Sequence, residues 1–291
     1  MKTITVFTPT FNRSDFLHRI YQSLCEQTNQ DFCWLIIDDG SSDNTKNTVN
    51  NWILDNKIEI KYIFQDNLGM HGAHNTAYKN IQTVLNTCID SDDFLPKNAI
   101  ELILNKWKTI DQNKFAGIVG LDANTDLKLI GTNFKTSSTT LENFYNNGGE
   151  GDKKLIYRTE IINKYPEYPI FDGEKYVSLG TKYLQIDKDF ELATLNKFLV
   201  IVDYQPTGSS NTMFEQYLKY PKGFLYNRIV SMQLSSSLKR QFIEAIHYIS
   251  GCLILKKYDF LKNCPKKMLA IFAVPFGVVL YFYILFKAKK Q

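Results

Sequence analysis

Two hydrophobic periods alternate along the chain, and their alternation is its main structural signal. Ile4 to Thr8 is a short apolar-rich run closed by Pro9, the pattern of a buried strand. Beyond it, Ser14 or Asp15 can cap a segment whose Leu17, Ile20, Tyr21 and Leu24 share one helical face. Phe32 to Ile37 predicts a second strand, followed by a helix through Val49, Trp52 and Ile53 and a third strand at Ile58 to Phe64. Asn75 to Leu85 has a helical pattern, Leu85 to Ile89 predicts a fourth strand, Ala99 to Ile110 a helix and Ala116 to Leu121 a strand. Strands and helices alternating at this pace imply an α/β fold with a mostly parallel sheet flanked by helices. Such sheets bind ligands beyond the carboxyl ends of their strands. Three polar stretches fall at such ends: Thr8 to Arg13, Asp38 to Asp43 and Asp90 to Asp93.

The second half is less regular. Residues 122–150 are rich in Asn, Thr, Ser and Gly and predict a long excursion from the sheet. Order returns at Lys154 to Arg158, Tyr165 to Pro169 forms a stiff aromatic loop, Tyr183 to Leu195 predicts a helix and Phe198 to Val202 a last strand. Tyr204 to Asn211 follows and is a candidate segment to close over a diphosphate. Met268 to Phe286 runs without a charge between Lys266-Lys267 and Lys287, Lys289 and Lys290. As a helix it would be about 28 Å long, near the thickness of a bilayer's hydrocarbon core. Membrane contact is therefore expected. Lysines on both flanks oppose moving either end across, and Pro275 with Gly277 interrupts the run, so a single span and a bent hairpin both fit. Lys256, Lys257 and Lys262, just upstream, are suited to anionic head groups. This divides the chain into a catalytic-type domain at 1–220, a helical extension at 221–263 and a membrane-associated tail at 264–291.

Composition narrows the possibilities. A chain of 291 residues with 44% apolar and 22% charged residues can bury a real core. A net charge of +4 argues against a nucleic-acid partner and for a local basic patch. The five cysteines show no metal-ligand spacing and read as thiols in a reducing compartment. The apolar run at the start is too short for a signal peptide, so the body is expected to stay in the cytoplasm.

Asp90-Ser91-Asp92-Asp93 places three carboxylates at the end of an apolar run. Alone, it reads as an acidic turn capping the helix that Pro96 opens. With a divalent cation, the same carboxylates would face a diphosphate. Asp38 to Asp43 joins carboxylates to a glycine turn and hydroxyls, which suits a nucleobase and ribose. Asn67 to Asn75 holds two glycines for close backbone approach and histidines and asparagines as donors to phosphate. His18 and His247 lie on helical patterns and read as surface or packing residues.

Phe7 to Arg13, Ile37 to Thr45 and Ile89 to Asp93, in this order and spacing, resemble the signature series of family 2 glycosyltransferases. Asn67 to Asn75 resembles that family's N-x-G-x-H-x-A-x-N segment. The likeness covers residues 1–120 well and 150–215 more loosely. It implies a GT-A (nucleotide-diphospho-sugar transferase) fold and inverting transfer of a sugar from a nucleotide donor, a UDP-sugar first. The acceptor would be lipid-linked or a glycan, in cell-surface glycan assembly at the cytoplasmic face of the membrane. Carried over by position, Thr8, Pro9, Asn12, Arg13, Asp39, Ser41, Asn67, Gly69, His71, Asn75 and Asp90 would bind the nucleotide-sugar. Asp92 and Asp93 would be the residues on Mn²⁺ or Mg²⁺.

The catalytic base departs from the family pattern. The position that is acidic in many relatives aligns with Leu179, which cannot accept a proton. Glu174 is the first substitute and Asp172 the second. Met70 stands where some relatives carry lysine. Two other readings compete: a nucleotidyltransferase of similar fold, and a catalytically degenerate sugar-nucleotide-binding scaffold. Thr8 to Arg13 lacks the glycine-rich loop that the former normally shows, and the intact Asp39, Asp90, Asp92 and Asp93 count against the latter.

Overall fold

A computed structural model describes residues 2–205 and 213–289. The chain divides into two units. The first holds residues 2–167 with Asp189–Gln205, and the second holds Tyr168–Lys188 with the helices from Met213 onward. Residues 168–188 fall in the second unit, with the helices.

In the first unit β1 (Ile4–Thr10), β2 (Phe32–Asp38), β3 (Ile60–Phe64) and β4 (Leu85–Cys88) form a parallel block in the order β3-β2-β1-β4. All seven residues of β1 are buried, as a central strand requires. Its Ile4 and Val6 join a core with α1 (Ser14–Cys25), α2 (Thr45–Asp55) and α4 (Ala99–Thr109) through Leu17, Ile20, Val49, Trp52, Ile100 and Ile103. Phe7 points the other way and meets His74 and Tyr78 of α3 (Met70–Asn80) edge-on. Helices thus cover both faces. The register aligns Thr10 with Asp38 and Asp38 with Phe64, so the loops after these strands leave one edge together.

The rest of the sheet is mixed. β7 (Lys153–Arg158) inserts antiparallel between β4 and β5 (Phe115–Asn124), β8 (Glu191–Val202) runs parallel to β5, and the two-residue β6 (Ser138–Thr139) closes the order antiparallel to β8. The excursion at 122–150 carries β6 and a short α5 (Leu141–Asn146), whose Thr140 side chain accepts the Asn143 N–H. β7 is followed by α6 (Thr159–Lys164).

Two element boundaries differ from the sequence pattern. α3 starts at Met70 rather than Asn75, because Gly69 adopts φ 80° and its N–H, with that of Leu68, donates to Asp39. The helix expected at 183–195 is a short α7 (Gly180–Ile186), and the strand after it begins at Glu191. Pairing of Leu192 to Leu195 with Gly117 to Gly120 of β5 overrides their helical spacing.

The second unit adds α8 (Met213–Lys219), α9 (Pro221–Leu234), α10 (Leu238–Ile254) and α11 (Lys267–Ala288). Leu225, Met232, Ala245, Tyr248, Ile249, Cys252, Cys264, Ala270 and Ala273 form its core. Inside it, Arg228 pairs with Glu244 at 2.8 Å and donates to the Tyr217 hydroxyl. Gly223 is required by contact: a Cβ there would lie 1.8 Å from the Tyr176 carbonyl oxygen. The tail is one continuous helix through Pro275 and Gly277, not a bent hairpin.

Candidate active site

Three carboxylates hold the loops at the carboxyl edge in place. Asp38, fully buried, accepts the Ser41 N–H at 2.8 Å and the Tyr62 hydroxyl at 2.6 Å. Asp39 accepts the Gln65 amide at 2.6 Å, the Leu68 N–H at 2.9 Å and the Gly69 N–H at 2.8 Å. It therefore fastens the β3–α3 loop to the β2 loop. Gly40 has φ 90°, and a side chain there would press on the Asn67 backbone nitrogen at 3.0 Å. Asp43 accepts the Ser14 N–H at 3.0 Å and so caps α1 from another loop.

Asn12, at φ 52°, donates its N–H to the Ser41 hydroxyl at 2.8 Å, and its side-chain oxygen accepts the Ser42 N–H at 2.8 Å. This couples the loop after β1 to the loop after β2. Thr8 is buried on β1 with its hydroxyl accepting the Trp34 indole N–H at 2.9 Å, and Pro9 is buried beside it. His71 and Asn75 are buried one turn apart on α3, while Met70 is exposed. Asn12, Asp39, Ser41 and Gly69 thus build the edge from within it. Thr8 and Pro9 anchor it from β1.

The acidic turn follows β4. The Asp93 N–H donates to the Asp90 carbonyl at 3.1 Å, and one Asp93 carboxylate oxygen accepts the Asp203 N–H at 3.2 Å. Arg13 lies 3.7 Å from the Asp92 carboxylate. Arg19 donates to the Asp92 carbonyl at 3.1 Å and pairs with Asp203 at 2.6 Å. Desolvation, with the neighbouring Asp90 charge, pushes the Asp93 carboxyl up to about 7. Desolvation also raises Asp90, opposed by Lys154 and reinforced by Asp92, even though this residue reaches the surface.

The sequence pattern does not single out Lys154, Asp122, Arg19 or Asp203. β7 runs antiparallel, so its first residues arrive at the edge where the parallel strands end. Lys154 reaches the Cys88 carbonyl at the end of β4 from there. Asp122, near the end of β5, is buried with its Oδ1 unpartnered, and desolvation pushes its carboxyl up to about 6 against the pull of Lys154. The lone sequence signal was that Asp203 follows the last strand, as Asp38 and Asp90 follow theirs.

The donor set fits a hard dication. Among the described residues no three His, Cys, Asp or Glu side chains form a ready-made cage. Mg²⁺ and Mn²⁺ bound largely through phosphate and water oxygens need only one or two protein carboxylates. The buried Asp93 carboxyl, raised in pKa by desolvation and by the Asp90 charge beside it, is a place where a cation is stabilising.

Glu174 and Asp172 belong to the second unit. The buried Glu174 carboxylate accepts the N–H groups of Lys222 at 3.0 Å and Gly223 at 2.9 Å, in the first turn of α9. That arrangement anchors a helix N-terminus. Asp172 is exposed in the preceding turn, and the Leu179 carbonyl accepts the Tyr168 hydroxyl at 3.0 Å. Of Tyr204 to Asn211, only Tyr204 and Gln205 are among the described residues; the Tyr204 hydroxyl lies 3.4 Å from Asp152. His18 packs edge-on against Trp52, and His247 stacks on Tyr217, consistent with packing roles.

A parallel block with polar loops at one edge, extended by a mixed half-sheet, defines the GT-A class of α/β fold. S. aureus TarS (residues 1–349) in complex with UDP-GlcNAc superposes with a TM-score of 0.62 at 15% identity, covering 100% of this chain and 92% of that one. Mannosyltransferase PcManGT from Pyrobaculum calidifontis, in complex with GDP-Man and Mn²⁺, gives 0.57 at 12% identity over 98% and 83%. Residues 5–165 match Glycosyl transferase family 2, and the chain belongs to that family. It is 24% identical over 284 residues to a Campylobacter jejuni GalNAc(5)-diNAcBac-PP-undecaprenol beta-1,3-glucosyltransferase, covering 93% of this chain and 89% of that protein. It is 32% identical over 105 residues to Escherichia coli chondroitin synthase, 36% of this chain but only 15% of that protein's length. The match to the Staphylococcus epidermidis teichoic acid poly(glycerol phosphate) polymerase likewise spans 16% of its length.

Proposed function

We propose that the chain is an inverting glycosyltransferase that moves a sugar from a nucleoside-diphosphate donor, a UDP-sugar first, to a lipid-linked or glycan acceptor at the cytoplasmic face of a membrane. The observation that carries this reading is the meeting of four polar segments, Thr8–Arg13, Asp38–Asp43, Asn67–Asn75 and Asp90–Asp93, around the ends of adjacent parallel strands in a family 2 chain. Asp39 and the loop it fastens shape the base and ribose end. Arg13 and the acidic turn face the diphosphate. Asp92 and Asp93 would hold a Mn²⁺ or Mg²⁺, which supplies charge neutralisation for the leaving nucleoside diphosphate.

In the transfer, an acceptor hydroxyl oxygen bonds to the anomeric carbon as the bond from that carbon to the diphosphate oxygen breaks. The hydroxyl proton passes to a carboxylate. Because Glu174 is engaged with α9, Asp172 takes the base role in this proposal. The membrane part of the reading rests on α11, whose 22 residues have a mean hydropathy of 2.4 in their most apolar stretch.

The test is a thermal-shift screen of nucleotide sugars with Mn²⁺, followed by transfer assays. A UDP-sugar should raise Tm only when the metal is present, and Asp172→Asn should keep that shift while losing roughly 10²–10⁴-fold in transfer. If no nucleotide sugar shifts Tm, the donor assignment is wrong. A fully active Asp172→Asn enzyme disposes of that base.

A further inference from the structure

The surface of α11 is divided lengthwise. Ala270, Ala273, Gly277 and Ile284 are buried and lie within about 60° of one another around the helix axis at 100° per residue. This face packs on α10. A Cβ at Gly277 would sit 2.5 Å from the Ile249 Cβ, and the Phe242 and Phe276 rings are 5.9 Å apart at its margin. The opposite arc, about 140° wide, carries Met268, Ile271, Phe272, Phe276, Val279, Phe282, Tyr283 and Phe286, all exposed. No charged residue interrupts it between Met268 and Phe286.

We infer that this arc lies flat in the head-group region of an anionic bilayer, so that the helix enters the membrane sideways and does not cross it. The inference rests on the membrane reading above and specifies its geometry. A free interfacial helix carries its own polar face; here α10 covers that side instead, and α10 brings Lys239, Arg240, Glu244 and His247 with it. A crossing α11 would draw those groups, and the Arg228–Glu244 pair, into hydrocarbon.

Pro275 lies on the exposed arc. It has no N–H to donate to the carbonyl of Ile271, which is on the same arc. In the hydrocarbon layer of a spanning helix that carbonyl would face lipid tails without its backbone N–H partner, whereas water in the head-group layer can satisfy it. Charge points the same way. Lys256, Lys257, Lys262, Lys266 and Lys267 precede the arc and Lys287 and Lys289 follow it, with Asp259 the lone carboxylate from residue 256 to 289. Cations at both ends of an apolar strip match a surface of anionic head groups, and they keep both ends on one side.

The full-length protein tests this by co-flotation with phosphatidylcholine vesicles with and without phosphatidylglycerol, using single variants Phe272→Trp, Val279→Trp and Phe286→Trp. Lipids brominated near the head group or near the chain ends report depth through quenching. Expected are binding at least tenfold stronger with phosphatidylglycerol and equal, shallow quenching at all three positions. Deep quenching at Val279 with shallow quenching at Phe272 and Phe286 would show a crossing helix and overturn the inference. So would equal binding to both vesicle types, or a soluble dimer that ignores vesicles. Thermal shift with a nucleotide sugar on the same proteins separates the two claims. Retained donor binding confines any failure to the membrane geometry, whereas its absence in the wild-type chain refutes the glycosyltransferase reading itself.

Discussion

At the scale of single residues, the carboxylates of the edge fall into two groups. Asp38, Asp39 and Asp43 are satisfied by N–H and O–H donors and give the loops their shape. Asp90, Asp92, Asp93 and Asp122 are less fully partnered, and Asp90, Asp93 and Asp122 have pKa values raised by desolvation. Asp92→Asn removes a candidate metal oxygen and leaves the backbone turn intact. It should weaken Mn²⁺-dependent binding of a nucleoside diphosphate roughly 100-fold, measured by calorimetry, with metal-free binding unchanged. Unchanged affinity in Mn²⁺ would remove Asp92 from the metal site. Asp122 bears on stability. Its folded pKa of about 6 lies above the ordinary 3.8, so the folded state holds the proton more tightly. Stability from this group is therefore present below pH ~4 and declines as pH rises through about 6, by about 3 kcal/mol at most. In metal-free protein, urea unfolding across this range should show that decline in the wild type and a flatter profile in Asp122→Asn.

At the scale of elements, antiparallel β7 and the start of α9 decide which side chains are available. β7 delivers Lys154 beside the acidic turn, a cation among carboxylates that a purely parallel order would have sent to the far edge. α9 engages Glu174 through the N–H groups of its first turn. Replacing that carboxylate with an amide, Glu174→Gln, weakens two charge-assisted bonds at a buried position. The expected outcome is a loss of about 1–3 kcal/mol in unfolding free energy, with transfer per folded molecule largely kept. A stable but inactive Glu174→Gln protein would return the base role to Glu174.

At the scale of the whole molecule, the C-terminal helix is both a surface and a structural member. Ala270 and Ala273 belong to the same core as Tyr248, Ile249 and Cys252. Deleting residues 264–291 should thus release the protein from membranes and also expose the core of α9 and α10, seen as a lowered Tm and increased binding of a hydrophobic dye. Changing only the exposed arc, with Phe272→Ser, Val279→Ser and Phe282→Ser together, should release the protein with Tm nearly unchanged. If the triple variant still pellets with membranes, the arc is not the contact.

The succession of the first four strands along the chain, the three polar loops at their ends and the apolar tail were legible in the sequence, because each is written in a local period or a contiguous run; their arrangement β3-β2-β1-β4 in the sheet was not. Ile4 to Thr8 needs no distant partner to be recognised, and Asp90 to Asp93 gains its meaning from the motifs that precede it along the chain. Long-range pairing supplied the rest. The strand at Glu191–Val202 forms on helix-like spacing because β5 is there to pair with it, and Lys154 reaches the site because β7 runs against its neighbours. Glu174 looked like an available base until α9 was seen to begin on it. Likewise, the sequence showed that residues 268–286 are apolar on every side, but only packing against α10 decided which side is left for a membrane. A hydrophobic run fixes how much surface must be hidden, and tertiary contacts fix which part of it the protein hides itself.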